Sequence, residues 1–131
     1  MLWKATEFLY WGDMNSPLEY KQYGIKSIIC VADELPTPEV DIPFIKIPIP
    51  NGHPATLVKD IFLRIAHILT CDLPPLLVYC QAGCNRSAGL VFLWLVEQGY
   101  TKESAWIMMK TLRPDVLSWS QDYNKIVELG E

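Results

Sequence analysis

Apolar residues along the chain gather into short runs divided by polar, Gly and Pro punctuation, and the period of each run points to an element. Leu2–Ala5 and Phe8–Trp11 read as short strands joined in a hairpin. Ser16-Pro17-Leu18-Glu19 offers a capping serine, a proline at the first helical position and a glutamate at the third, and Gly24 offers a stop. A short helix is expected between them. Ile25–Ala32 is mostly apolar and β-branched, hence a strand. Six of the ten prolines follow between Pro36 and Pro54, where only Phe44–Ile49 has strand character. The rest of that region reads as a Pro-stiffened loop, of a length that is often functional. In Ala55–Thr70, Leu57, Ile61, Ile65 and Ile68 recur at helical spacing opposite Asp60, Arg64 and His67, the pattern of an amphipathic helix. Leu76–Cys80 is nearly all apolar, as a central parallel strand would be. Arg86–Gln98 is apolar on nearly every face, which predicts a buried helix ending at Gly99. Thr101–Leu112 predicts another, halted by Pro114, and a last one runs from Ser118-Trp119-Ser120-Gln121 to Gly130.

Strands alternating with helices give the α/β class: a central, mainly parallel sheet of about four to five strands flanked by helices. The 131 residues fit a single domain, 1–131, with no repeat, low-complexity tract or linker. Half of them are hydrophobic, enough for a sizeable core, and the formal charge of −4 argues against nonspecific binding to nucleic acid or anionic membranes. The longest apolar run, Ala88–Val96, is too short to span a bilayer, and the opening residues lack the features of a secretory signal. Four cysteines (Cys30, Cys71, Cys80 and Cys84) form no C-x-x-C pair, so free thiols in a reducing, cytoplasmic setting are expected. His53 and His67 share no ligand spacing, and no metal site is expected.

One junction carries chemistry. Leu76-Leu77-Val78-Tyr79 runs into Cys80-Gln81-Ala82-Gly83-Cys84-Asn85-Arg86-Ser87, and the buried helix follows. A loop from strand to helix start aims backbone N–H groups and the positive end of the helix dipole at one point, which suits a tetrahedral oxyanion. The same field stabilises a thiolate at Cys80, making it a candidate nucleophile. Arg86 can take two phosphate oxygens at once, which a lysine cannot. A cation at a helix start is also unfavourable unless it meets an anion. Gly83 allows a tight cradle, and Ser87 can orient the thiolate or ease its departure. With four cysteines and three arginines, a C-x5-R spacing arises by chance about 0.1 times in such a chain, so the spacing alone is only suggestive.

With Gly83 and Ser87 included, Cys80–Ser87 resembles the C-x-x-G-x-x-R-S signature loop of cysteine-dependent protein tyrosine phosphatases, and most nearly the small dual-specificity phosphatases. Phe8-Leu9-Tyr10-Trp11-Gly12 is similar to their opening strand, and Ile47-Pro48-Ile49-Pro50-Asn51-Gly52 to their general-acid loop. Arg113-Pro114 also has its counterpart after their penultimate helix. Low-molecular-weight phosphatases carry their loop near the N-terminus, whereas Cys80 lies deep in the chain. The resemblance implies a phosphate monoester hydrolase with a phosphocysteine intermediate and no metal or organic cofactor. In it Cys80 attacks phosphorus, Arg86 clamps the equatorial oxygens, Gln81, Ala82, Gly83, Cys84, Asn85 and Arg86 bind the phosphate, and an acid protonates the leaving oxygen. Its partner would be a phosphorylated protein or another phosphomonoester.

Two positions depart from that pattern. Tyr79 stands where the family has His before the nucleophile, and Asn51 stands where it has the acidic Asp. Asn cannot act as an acid, so either turnover is weakened or Asp33 or Asp41 serves instead. The same departures support a second reading, a catalytically weak phosphate-binding module that recognises phosphorylated partners. A sulfurtransferase also uses a cysteine in an anion loop, but Arg86-Ser87 favours phosphate. Asn51-Gly52 equally suits a plain turn. Cys84 reads as an outward loop side chain or a resolving thiol.

Overall fold

A computed structural model of the chain describes residues 1–49, 60–64, 74–82 and 86–116. Five strands form one sheet: β1 (Leu2–Lys4), β2 (Leu9–Gly12), β3 (Ser27–Ala32), β4 (Phe44–Ile49) and β5 (Leu76–Tyr79). Their spatial order is β1-β2-β5-β3-β4, with β1 antiparallel to β2 and the other four parallel. β5 thus lies between two neighbours and under a helix, and every residue of it is buried. This is why Leu76–Tyr79 shows no apolar–polar alternation. β3 is buried throughout as well. β4 is an outer strand and carries Lys46, Pro48 and several exposed positions, as an edge should. Cys30 pairs with Lys46 but Ala32 with Ile49, so β4 holds one residue more than β3 and bulges beside Pro48, which has no N–H to give the ladder.

Helix α1 (Arg86–Glu97) packs on β2, β5 and β3, and each residue from Arg86 to Leu95 is buried. Helix α2 (Lys102–Leu112) packs on α1 and is capped by Thr101, whose hydroxyl accepts from the Ser104 N–H at 3.1 Å. Residues 60–64 are helical, with Ile61 buried and Asp60 and Arg64 exposed, as the amphipathic pattern assigns them, and with Phe62 buried as well. The remainder of the expected helix 55–70, and the expected last helix 118–130, lie outside the described residues. Among the described residues no helix is long and apolar enough to cross a membrane.

The segment after β2 departs from expectation. In place of a helix from Ser16 to Gly24 there is a single 3-10 turn, Ser16–Glu19, followed by further turns. Ser16 does not cap it. The residue is buried, and its hydroxyl donates to the Asp13 carbonyl at 2.6 Å. Packing against Gly12 decides this, because a Cβ at position 12 would stand 2.4 Å from both Cβ and Oγ of Ser16. Gly24 does end the segment, at φ +68°, and the Ile25 N–H returns to the Tyr20 carbonyl at 2.9 Å. β3 starts at Ser27 rather than Ile25, where pairing with Leu76 begins.

Gly12→Ala should therefore destabilise the fold by about 1–3 kcal/mol through overpacking, read from urea unfolding. Adding Ser16→Gly should recover most of that loss. A double variant no better than the single one would place the cost elsewhere.

Candidate active site

β5 delivers Cys80 to the carboxyl edge of the sheet, where open parallel sheets bind ligands. The Cys80 N–H donates to the Gly12 carbonyl at 3.2 Å, and the Met14 N–H donates to the Gln81 carbonyl at 2.9 Å. The base of the loop is thereby fastened to the end of β2. Cys80 is 2% exposed, and its Sγ lies 3.2 Å from Oγ of Ser87 on the first turn of α1. The Ser87 hydroxyl also reaches the Gly12 carbonyl at 3.5 Å. One hydroxyl proton can therefore turn to either neighbour, donating to sulfur when the sulfur is a thiolate.

Arg86 starts α1 and is 5% exposed. Its Nη1 donates to Oε1 of Glu34 at 2.7 Å and to the Ile49 carbonyl at 2.8 Å, and its Nη2 donates to Oε2 of Glu34 at 2.6 Å. The fork-to-fork pair answers the problem of a cation at a helix start. The bond to Arg86 holds the Glu34 carboxyl well below the usual carboxylate range, at about 2, against the opposing effect of burial. Arg86 is in turn held above its ordinary value, by Glu34 first and also by the charge of Cys80. Glu34 was not among the residues singled out from the sequence. The Asp33-Glu34 pair directly after an apolar strand was the available signal.

Tyr79 is buried on β5 and faces Cys30, its register partner on β3. Burial, and then a bond with the Cys30 side chain, push the phenol above its ordinary range, so it stays neutral. The Cys30 thiol itself donates to the Ala32 carbonyl at 3.6 Å, and the Tyr79 ring tilts against Phe44 with centroids 6.5 Å apart. Tyr79 is thus engaged on its β3 side.

The two candidate acids separate. Asp33 follows β3 directly and is exposed at the same edge as Cys80. Asp41 precedes β4, at the opposite edge, where it accepts a hydrogen bond from the Tyr20 hydroxyl and is held below the usual range by it. The fold therefore brings Cys80, Arg86 and Ser87 together with Asp33 nearby, and does not bring Asp41 to them. Gln81 and Ala82 are exposed at the loop's start. Gly83, Cys84, Asn85 and Asn51 lie outside the described residues, as does Cys71. Among the described residues, no cluster of His, Cys, Asp and Glu has the makings of a metal site.

No family model matches the sequence, and no curated protein matches it. Solved structures match the fold. DUSP15 superposes with a TM-score of 0.76 at 22% identity, covering 98% of this chain and 86% of that one. Tk-PTP in its active form gives 0.74 at 15% identity, with 98% and 95% covered. The human tyrosine phosphatase-like serine/threonine/tyrosine-interacting protein gives 0.72 at 18% identity, with 98% and 92% covered. The α/β fold is that of the small dual-specificity and tyrosine phosphatases, as the loop resemblance implied.

Because Glu34 is depressed from 4.5 to about 2, the stability it contributes is present above pH 4.5 and is lost as pH falls through 2. Glu34→Gln should lower stability at pH 7 by about 1–3 kcal/mol, less than for an enclosed pair because the side chain is 35% exposed. The gap in urea midpoint between wild type and variant should then narrow from pH 5 to pH 2. A gap constant with pH would mean that the pair does not stabilise the fold.

Proposed function

We propose that this phosphatase fold hydrolyses phosphate monoesters of the dual-specificity class through a phosphocysteine intermediate, in a single cytoplasmic domain spanning 1–131. The observation that carries the reading is the 3.2 Å approach of Cys80 Sγ and Ser87 Oγ at the start of a helix whose first residue is a buried, fork-held arginine. The Cys80 thiolate attacks phosphorus, forming an S–P bond as the P–O bond to the leaving group breaks. Water then attacks phosphorus, and sulfur departs as a thiolate that the Ser87 hydroxyl receives by donating its hydrogen bond. Inorganic phosphate is released.

Arg86 stabilises the charge that builds on the equatorial oxygens. Glu34 and Ile49 hold its Nη1 side and the inner Nη2 hydrogen. Among the described residues no contact takes the opposite edge, formed by Nε and the outer Nη2 hydrogen. Those two parallel N–H groups match two oxygens of a phosphate. Arg86 and the loop amides supply the electrostatic stabilisation, so the mechanism invokes no metal or organic cofactor.

A second reading keeps the phosphate site and loses the turnover. Tyr79 is neutral and engaged with Cys30, and Asp41 lies at the far edge, so two sources of catalytic assistance are lacking. One structure with the same fold is itself described as phosphatase-like.

Two experiments separate these readings. Cys80→Ser should abolish turnover of an aryl phosphate while phosphate still binds, and Arg86→Lys should cost at least about 10²-fold in rate, since a point charge cannot replace the planar fork. A wild type with no turnover that still binds phosphate favours the second reading; near-normal Arg86→Lys activity would remove the clamp.

General acid catalysis contributes about 10²–10⁴ in rate, and only where the leaving group needs a proton. With Asn51 at the acid position, wild-type rates should fall steeply as leaving-group pKa rises, and Asn51→Asp should flatten that slope. A shallow wild-type slope that Asp33→Ala steepens would instead make Asp33 the acid.

A further inference from the structure

α2 ends at Leu112, and Arg113 leaves it with extended backbone at φ −142° and ψ 101°, the conformation that a following proline favours. Its guanidinium lies 4.4 Å over the Trp3 ring, and Trp3 stacks on Trp11 of β2 with centroids 5.7 Å apart. Nε donates to Oδ1 of Asp115 at 2.7 Å and Nη2 to Oδ2 at 3.3 Å. Nη1 donates to the carbonyl oxygen of Ala82, in the Cys80–Ser87 loop. The side chain is 17% exposed. One face and all three nitrogens of the group are thus engaged, and one of those nitrogens grips the loop's backbone.

An anion cradle works only while its peptides turn N–H groups inward, because an inward carbonyl sets the negative end of a dipole against the phosphate. The Gln81 carbonyl is held by the Met14 N–H, and the Ala82 carbonyl is held by Arg113. Gly83 follows Ala82 in the sequence, and a peptide that precedes glycine can rotate between two orientations at little steric cost. Ala82 is therefore the place where loss of an outside partner would let a carbonyl turn on the anion.

We propose that Arg113 is a positioning residue for the phosphate loop: by holding the Ala82 carbonyl it keeps the loop in its anion-accepting arrangement. The role rests on the phosphatase reading and deepens it. Arg113 acts through Ala82, with its own charge balanced by Asp115. Lysine cannot substitute, since it lacks the planar group that spans Trp3, Asp115 and Ala82 together.

The test measures how well inorganic phosphate protects Cys80 of the full chain from iodoacetamide, in wild type, Arg113→Lys and Asp115→Asn, with thermal midpoints as the check on folding. Arg113→Lys should need about tenfold more phosphate for half-protection, while its thermal unfolding stays cooperative, which shows that the fold is kept. Asp115→Asn, which frees the guanidinium but makes the region more positive, should also weaken protection. Simple charge attraction forecasts the reverse for Asp115→Asn and no loss for Arg113→Lys, and either result overturns the role. A wild type that phosphate does not protect overturns the phosphatase reading along with it. A protected wild type with an equally protected Arg113→Lys overturns the role of Arg113 alone.

Discussion

A guanidinium that is 5% exposed and stands at the first position of a helix is a charge in an unfavourable place, and much of the described site follows from how the chain neutralises it. Glu34 comes from the end of β3 and the Ile49 carbonyl from the end of β4, so two strand ends converge on Arg86. The bulge beside Pro48 matters for the second of these. An unbroken β4 ladder would give Ile49 a different position, whereas the extra residue sets Ile49 beside Ala32 with its carbonyl on Arg86. β4, an edge strand in which only Ile49 is fully buried, is tied to the site by this bond.

On the other side of Cys80 the constraint is steric. Gly12 admits Ser16 against its backbone, and its carbonyl receives both the Cys80 N–H and the Ser87 hydroxyl. A side chain there would disturb the 3-10 turn and the support of Cys80 together. Arg86 and Cys80 are therefore fixed from opposite flanks of β5, one through β3 and β4 and the other through β2.

The elements with a strong apolar signature are readable from residues alone. The uniformly apolar β5 and the all-round apolar α1 are set by burial, and burial marks composition directly. What could not be read was whatever depends on which strands adjoin. Glu34 meets Arg86 only because β3 lies beside β5, and Tyr79 meets Cys30 for the same reason. Between β3 and β4 no period distinguishes Glu34 from Asp33 or Glu39. Asp33 directly follows its strand and so lies at the edge of Cys80, whereas Asp41 precedes the parallel strand β4 and lies at the other edge. The Ser16 cap fails for a different reason: its capping signals are sound, but the bare backbone of Gly12, four residues earlier, gives the side chain a tighter place to go.

β2 and β3 follow one another in the chain, yet in the sheet β5 separates them. As the chain leaves a ribosome, β1–β2 and β3–β4 can each pair first, leaving two half-sheets whose inner edges have unpaired backbone. The sheet closes only when Leu76 finds both Leu9 and Ser27, a contact between far-separated parts of the sequence and a slow one to form. Cys80 is the residue immediately past that closing strand. Chains that have not yet released β5 would thus hold unpaired edges, and Cys80 would gain its surroundings in the same event that completes the sheet.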